Sequence, residues 1–536
     1  LTPAELISVL LAAPVDLIFN GGIGTWFKAS DEDHASVGDR ANDGVRIDAT
    51  RIRARVIGEG GNLGLTQRAR IEFAAAGGAC NTDFIDNSGG VDCSDHEVNI
   101  KILLSRVVAS GEMTSQQRAA LLEDMSDEVA QQVLANNYRQ TQAISIAEHE
   151  APARIDEHRA LIASLEARGV LDRRLEFLPG DDVLEERRTL GKGLVRPELA
   201  VLTCYVKGQL KRDILASELP EDPYLSRSIA WAFPARLVER FGERLGQHEL
   251  RREIVATQIG NDLVDLMGIT LIDRLQQSTN ASIAAIVRAY TVARDVFGLH
   301  HWWSVVEGLD HAVDARVQLQ VFADLQRLLR LATRWFLHNR RCNLDLGAEV
   351  AALAAPVAHI QVSMGEYAGG EQLLAWRKRH DELLAAGLPQ PVAAGLAGSS
   401  MLVAALGIVD VALTQGLPVE STARIAFALN DRLDFYWFGK QISALAVDGY
   451  WQALARESYL DELDWQLRAI VAQVVQEAAA GQDIGQCLER WESSRAPAVA
   501  QWRLLLKQIR DARTQGYAMY AVAVRALLAL AQPLAP

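Results

Sequence analysis

The densest chemistry in the sequence lies in DNSGGVDCSDHEVNIK, residues 86–101, which holds acids, a thiol, an imidazole, carboxamides and paired glycines. Asp92, Cys93, Asp95, His96 and Glu97 include both hard and soft metal donors. On a helix only residues three or four apart share a face, which leaves Asp92 with His96 and Cys93 with Glu97. No second Cys or His cluster completes either pair, so no metal is expected here and His96 reads as a hydrogen-bonded helix histidine. Ser94-x-x-Glu97 also matches a capping box, in which Ser94 accepts from the amide of Glu97 and Glu97 returns a bond to the amide of Ser94. That places a helix N-terminus directly after NSGGV. Free amides and a partial positive charge at such a terminus suit a substrate carboxylate as well, so capping and binding share one expected geometry.

Three glycine pairs carry the second signal. Gly21–Gly22, Gly60–Gly61 and Gly89–Gly90 each have an asparagine beside them, namely Asn20, Asn62 and Asn87. Glycine lets backbone approach a ligand closely, and the amides can reach a ribose or a carboxylate. Neither GGIGT nor GEGGNLG completes G-x-G-x-x-G or a Walker loop, so the diphosphate fingerprint is absent. No G-x-S-x-G, H-E-x-x-H or C-x-x-C occurs. HHWW, His300 to Trp303, is read as aromatic packing between helices, and ESYLDELD, Glu457 to Asp464, as a solvated helix face.

Elements must bring these residues together. PVDLIF (Pro14 to Phe19) and RARVIG (Arg53 to Gly58) are short apolar runs closed by glycine-rich turns, which is the pattern of buried strands. Thr66 is placed to cap a helix over QRARIEFAAA that stops at Gly77 and Gly78, and NTDFI reads as a third strand run. Strands each followed by a turn and a helix predict a parallel, doubly wound sheet, which binds ligands outside the carboxyl ends of its strands. From about residue 100 the pattern is helical nearly throughout. Val317, Val321, Leu325, Leu328, Leu329, Ala332, Trp335 and Phe336 form one apolar stripe. Pro197 and Glu198 suit a helix first turn, and LPEDPYL (Leu219 to Leu225) a turn between helices. LPGDD near Pro179 and AAGLPQPVAAGLAGSS near Pro389 are the expected linkers or long loops. The fold class is therefore α/β plus all-α, a partial doubly wound sheet followed by a large helical domain, divided at residues 1–110, 111–185 and 186–536.

Composition narrows the partners. Lys and Arg number 54 against 68 Asp and Glu, a formal charge of −14, which provides no footprint for nucleic acid or an anionic membrane. Cys80, Cys93, Cys204, Cys342 and Cys487 are odd in number and unpaired by spacing, as expected of reduced thiols in the cytoplasm. Ala518 to Leu530 is apolar but too short for a bilayer and carries Arg525, so it is expected to be a packed helix. The opening LTPAELISVLLAAPVDLIFN has neither an initiator Met nor a signal-peptide pattern, and the chain is expected to be part of something longer that continues upstream of Leu1.

VIGEGGNLGLTQRARIEFAAAGGACNTDFIDNSGGVDCSDHEVNIK resembles the end of the nucleotide domain of glutamate dehydrogenases, whose ordinary members carry E-G-A-N, then P-D, then N-A-G-G-V-x-x-S-x-x-E. GGIGTWFKAS and GDRANDGVRID are similar to the large NAD-specific bacterial class, as are GLVRPELAVL, ELPEDPYL, LRREIVATQIGNDLVDLMGITLIDRL and IVRAYTVARDVFGL further on. The resemblance implies a Rossmann-like NAD domain, of which residues 1–110 are the C-terminal half, and oxidative deamination of L-glutamate to 2-oxoglutarate and ammonium. It implies that Ser94 hydrogen-bonds the substrate's side-chain carboxylate and that Val91 packs beside it. It also implies that Asn20, Gly21, Gly60, Gly61, Asn62 and Asn87 border the cofactor. Gly61 and Ser88 stand where the common pattern has Ala, and these small-for-small changes are expected to leave the placement intact. The family's catalytic lysine and aspartate lie on an earlier domain, so the catalytic residues are expected upstream of Leu1 and none in this chain. The intact enzyme is expected to be a homo-oligomer, with residues 186–536 serving assembly or regulation. The alternative is a free-standing helical interaction protein that retains a remnant sheet.

Overall fold

The computed structural model describes residues 1–340, 344–447, 450–477, 483–514 and 516–532; Cys342 lies outside them. Strand β1 (Leu17–Asn20) pairs in parallel with β4 (Val56–Glu59), with Leu17 opposite Val56 and Asn20 opposite Glu59. Strands β2 (Phe27–Lys28) and β3 (Ile47–Asp48), also parallel, form a second two-stranded patch. The period-two alternation sends Ile18, Asn20, Ile57 and Glu59 inward and leaves Leu17, Phe19 and Val56 outward. The inward residues join a core of Phe27, Ile47, Ala49, Ile57, Leu65, Ala69, Phe73 and Cys80. Each large apolar side chain buried there stabilises by roughly 1.5–3 kcal/mol. Burial also pushes the Cys80 thiol up to about 12.

The helix Gln67–Ala75 is capped as expected, the Thr66 hydroxyl oxygen accepting from the Ala69 amide at 3.1 Å. Its end needs glycine twice. Gly77 has φ +97°, and a Cβ on Gly78 would lie 2.3 Å from Phe73 Cζ.

The expected third strand is not formed. Among the described residues it is reduced to one parallel bridge, Ala79 to Val56, after which Asp83–Asp86 is a single helical turn. Helical spacing puts Asp83 and Asp86 on one side, where both carboxylates accept backbone amides of the neighbouring strand-end loop. An extended NTDFI would have pointed Asp83 and Asp86 to opposite faces.

Helix then dominates. Two compact units divide at Arg288 and Ala289. In the first, the helix Arg196–Leu215 packs on Arg251–Met267, Ser126–Glu150 and Gln67–Ala75. Pro197 and Glu198 occupy its first turn, Glu198 accepting from the Val195 amide at 2.8 Å. The expected divisions at 110 and 185 fall inside this unit. The two stretches expected as linkers or long loops lie inside the units: residues 168–180 are turns and irregular backbone ending where Asp181–Thr189 starts, and Pro389 immediately precedes the helix Gln390–Ala397. Proline and glycine there set the entry of a helix rather than separating domains.

In the second unit, Ala315–Asn339 buries Val321, Leu325, Leu328, Leu329, Ala332, Trp335 and Phe336, with Val317 half-buried. Trp303 of HHWW is buried with its ring 4.4 Å from that of Phe322, and Tyr517–Ala531 is a packed helix burying Tyr520, Val524 and Leu527. ESYLDELD is not a solvated face. Glu457 and Asp461, one turn apart on Tyr450–Glu477, both pair with Arg334 of Ala315–Asn339, Asp461 at 2.6 Å. Burial raises the Asp464 carboxyl, against the pull of Arg468 at 3.1 Å. Residues 457, 461, 464 and 468 recur at helical spacing, so the acids line the packed side.

Among the described residues, Leu346–Tyr367 is long and apolar enough to cross a membrane by length and composition. It contains Pro356, and one face of it, including Leu353, Val357 and Ile360, is buried against other helices of its unit.

Candidate functional site

The carboxyl ends of β1 and β4 open side by side, and the residues that follow them form a mouth lined by carboxamides. The Gly61 amide donates to the Asn20 carbonyl at 2.9 Å, joining the two strand-end loops. A Cβ on Gly61 would come within 2.6 Å of the Gly22 carbonyl oxygen, and one on Gly60 within 2.5 Å of Phe19 Cζ. At Gly61 the clash is with backbone, so glycine there lets the two loops touch, whereas at Gly60 it is with the ring of exposed Phe19. Gly61 in place of the common Ala is not a neutral exchange in this chain, because a methyl group would displace the Gly21–Gly22 loop. Ser88 is not neutral either: its hydroxyl oxygen accepts from Asn137 Nδ2 at 2.8 Å, which alanine would forfeit.

Asn62 and Asn87 meet directly, Asn87 Nδ2 donating to Asn62 Oδ1 at 2.8 Å. Asn20 is nearly buried. Its Oδ1 accepts from the Gly22 amide at 3.4 Å, while Nδ2 lies against Gly64 with no hydrogen-bond partner among the described residues. Asn20, Gly21, Gly60, Gly61, Asn62 and Asn87 thus share one mouth.

Ser94 and Val91 stand differently from expectation. The helix that carries them is Ser88–Ala109, so it starts six positions before Ser94. Asn87 is a joint between this helix and the Asp83–Asp86 turn, and Gly89 and Gly90 lie in the first helical turn rather than in a glycine loop. The capping box is absent: Ser94 Oγ donates to the Gly90 carbonyl at 3.3 Å within the helix, and Glu97 pairs with Lys101. Ser, Asp and Asn within a segment of helical periodicity do not by themselves mark a start, and the joint at Asn87 allows the helix to begin earlier. Asn87, Val91, Ser94 and Val98 follow one another at helical spacing down an exposed face, Val91 being 68% and Val98 50% exposed. His96 faces inward, its Nδ1 3.0 Å from the Ala232 carbonyl, and Asp92 accepts from Asn136. Among the described residues no group of three or more His, Cys, Asp or Glu is arranged to hold a metal.

The residues that set this geometry went unnoticed in the sequence. Glu59, the last residue of β4, is fully buried. It receives Arg70 in a bidentate pair at 2.7 and 2.9 Å, and its Oε1 also accepts the Leu65 amide at 3.1 Å. Burial pushes its carboxyl up and the guanidinium pulls it back. Asp83 Oδ2 accepts the amide of Leu63, a residue with φ +58°, and Asp86 Oδ2 accepts the amide of Glu59 at 2.9 Å. Burial also raises the Asp86 carboxyl, opposed by its bonds from Asn81 and the Glu59 amide. One signal was available: an acid at the end of an apolar strand, directly before glycines, is rarely buried without a partner.

A small parallel sheet whose carboxyl edge opens on a carboxamide-lined mouth, followed by helices nearly throughout, makes this an α/β unit running into a helical one. Residues 191–529 match the sequence profile described as Glutamate dehydrogenase, C-terminal, and residues 1–147 match that of the Bacterial NAD-glutamate dehydrogenase, catalytic domain. The chain belongs to the glutamate dehydrogenase C-terminal family, in the large bacterial NAD-glutamate dehydrogenase group. It is 50% identical over 99% of its length to the NAD-specific glutamate dehydrogenase of Pseudomonas aeruginosa, and 45% identical over 99% to that of Halomonas elongata. Against the enzyme of the same name from Mycobacterium tuberculosis it is 38% identical over 98%. It spans about a third of the length of these relatives. Matches running nearly end to end through both the sheet and the helices disfavour a free-standing helical interaction protein.

Proposed function

We propose that this chain is a portion of an NAD-dependent glutamate dehydrogenase, which converts L-glutamate, NAD and water to 2-oxoglutarate, ammonium and NADH. The observation that carries this reading is the Asn62–Asn87 pair at the joined ends of two parallel strands. Carboxamides offer both donors and acceptors, as ribose hydroxyls require. Asn20, Gly21, Gly60, Gly61, Asn62 and Asn87 would therefore hold NAD at its nicotinamide ribose end. Bound there, NAD would supply the hydride acceptor for oxidation at the substrate's alpha carbon. Ser94, one turn below the exposed Val91, turns its hydroxyl from the Gly90 carbonyl to the substrate's side-chain carboxylate, and Val91 packs beside it.

The rest of the sheet belongs to this reading. Leu17, Phe19 and Val56 leave one apolar face uncovered, and the helix Pro3–Leu11 buries none of its residues. Parallel sheets are covered on both faces. Further strands and helices of a Rossmann-like domain, in the two thirds of the relatives' length outside this chain, would cover that face. The catalytic lysine and aspartate would come from that portion too. Residues 1–110 then supply the C-terminal half of the NAD domain, 111–185 connecting helices, and 186–536 assembly or regulation in a cytoplasmic homo-oligomer.

Steady-state kinetics of the full-length polypeptide test this. Asn62→Ala is expected to raise KM for NAD, and Ser94→Ala to raise KM for glutamate, each by an amount worth roughly 1–3 kcal/mol. A polypeptide that forms no NADH from glutamate, or variants in which neither constant moves, would overturn the reading.

A further inference from the structure

Arg196 opens the helix Arg196–Leu215, within the segment matched by the C-terminal profile, yet its guanidinium points back at the sheet. Nε and Nη2 both donate to Asn81 Oδ1, at 3.1 and 2.9 Å. Nη1 donates to Ser145 Oγ at 3.0 Å and to Glu148 Oε2 at 2.9 Å, and Nη2 also reaches the Thr141 carbonyl at 3.5 Å. Because guanidinium only donates, it fixes which end of the Asn81 carboxamide faces it. Asn81 Nδ2 is thereby presented to Asp86, a pure acceptor when ionised, and donates to Oδ1 at 2.7 Å. The other oxygen of Asp86 takes the Glu59 amide at 2.9 Å.

Glu59 and its neighbours close the circuit. Its carboxylate holds the Leu65 amide at the far end of the 60–64 loop, and Asp83 holds the Leu63 amide in the middle. Asn87, next to Asp86, holds Asn62. One helical turn thus grips the loop at three points, and Asn81 with Arg196 sets where that turn stands.

We propose that Arg196 is a positioning residue for the cofactor-binding loop, acting through Asn81 and Asp86 on the segment that carries Asn62. The helical segment is then a working part of the cofactor site and not only an assembly element. This rests on the NAD reading above.

The competing role is a staple: Arg196 also ties its helix to Ser126–Glu150 through Ser145 and Glu148, and that alone would be structural. Full-length protein carrying Arg196→Met, Arg196→Lys, Asn81→Ala, Glu148→Gln or Asn62→Ala separates the roles, by KM for each substrate, NADH binding by fluorescence, and thermal melting. Asn81→Ala and Arg196→Met are expected to raise KM for NAD and weaken NADH binding about tenfold, leaving KM for glutamate within about twofold. Arg196→Lys, which keeps one donor to Asn81, is expected to recover part of the loss. Glu148→Gln, which removes only the charge of the staple's ion pair while leaving the Asn81 contact in place, is expected to leave KM for NAD unchanged. If Arg196→Met does not fold, Asn81→Ala still reports on the relay. The proposal is overturned if Asn62→Ala moves KM for NAD but Asn81→Ala does not, or if Glu148→Gln has the same effect as Asn81→Ala. An unmoved KM in Asn62→Ala overturns the NAD reading itself.

Discussion

Single residues here divide into those that face the mouth and those that hold it. Asn62, Asn87 and Ser94 present polar atoms outward, whereas Glu59, Asp83 and Asp86 spend theirs on backbone amides and Arg70. The most reactive types in the opening segment, Asp92, Cys93 and His96, serve neither role in the mouth. A different buried residue contributes a pH dependence of folding. His158 is buried, its Nδ1 has no hydrogen-bond partner among the described residues, and burial together with Arg154 lowers it from 6.5 to about 4. The fold keeps this imidazole neutral while the unfolded chain takes up a proton below about 6.5, so stability is fully present above that pH and is lost as pH falls towards 4. The interval corresponds to roughly 3 kcal/mol. Urea unfolding at pH 4.5 and pH 7 should show His158→Leu losing most of that pH difference; an unchanged slope would contradict it.

Among elements, the helix Ser88–Ala109 and the pair Ala315–Asn339 with Tyr450–Glu477 show how charge is placed by packing. On the first helix, Asn87, Val91 and Ser94 share an exposed face while His96, Ile100, Leu103 and Leu104 take the inner one. In the second unit, Arg334 lies between Glu457 and Asp461, with its side chain only 9% exposed. Removing it leaves two carboxylates side by side on one helix face at a partly buried contact. Arg334→Met is expected to destabilise the unit by roughly 2–4 kcal/mol, less than for a fully buried pair because Asp461 still reaches solvent. Adding Asp461→Asn to the same protein should restore part of that loss. Denaturant midpoints that do not change in the single variant would show the acids to be solvated after all.

For the whole molecule, the question is what the chain lacks. Lys28 is committed to Asp48 and Lys101 to Glu97, so the lysines flanking the mouth in sequence are neutralised by partners. A dianionic substrate, as proposed, would need more than Ser94, whose single hydrogen bond to a charged group would be worth roughly 1.5–3 kcal/mol. The purified chain alone is therefore expected to show no turnover of NADH with 2-oxoglutarate and ammonium. Measurable turnover by pure protein would refute the proposal that the catalytic lysine lies in the portion of the enzyme outside it.

Local order in the sequence determined a good deal: strands at Leu17–Asn20 and Val56–Glu59, the Thr66 cap, the Pro197–Glu198 helix start and the apolar stripe of Ala315–Asn339 all follow from periodicity and capping chemistry. The asparagines and glycines at the strand ends were legible for the same reason, since turns after strands have a restricted vocabulary. Tertiary structure decided the rest. NTDFI became a helical turn because two loop amides needed Asp83 and Asp86 on one side, and ESYLDELD turned inward because Arg334 was waiting across a helix interface. The start of the 88–109 helix and the reach of Arg196 to Asn81 were likewise invisible. Each depends on partners tens of residues away in sequence, and pairing of that kind leaves no local period to read.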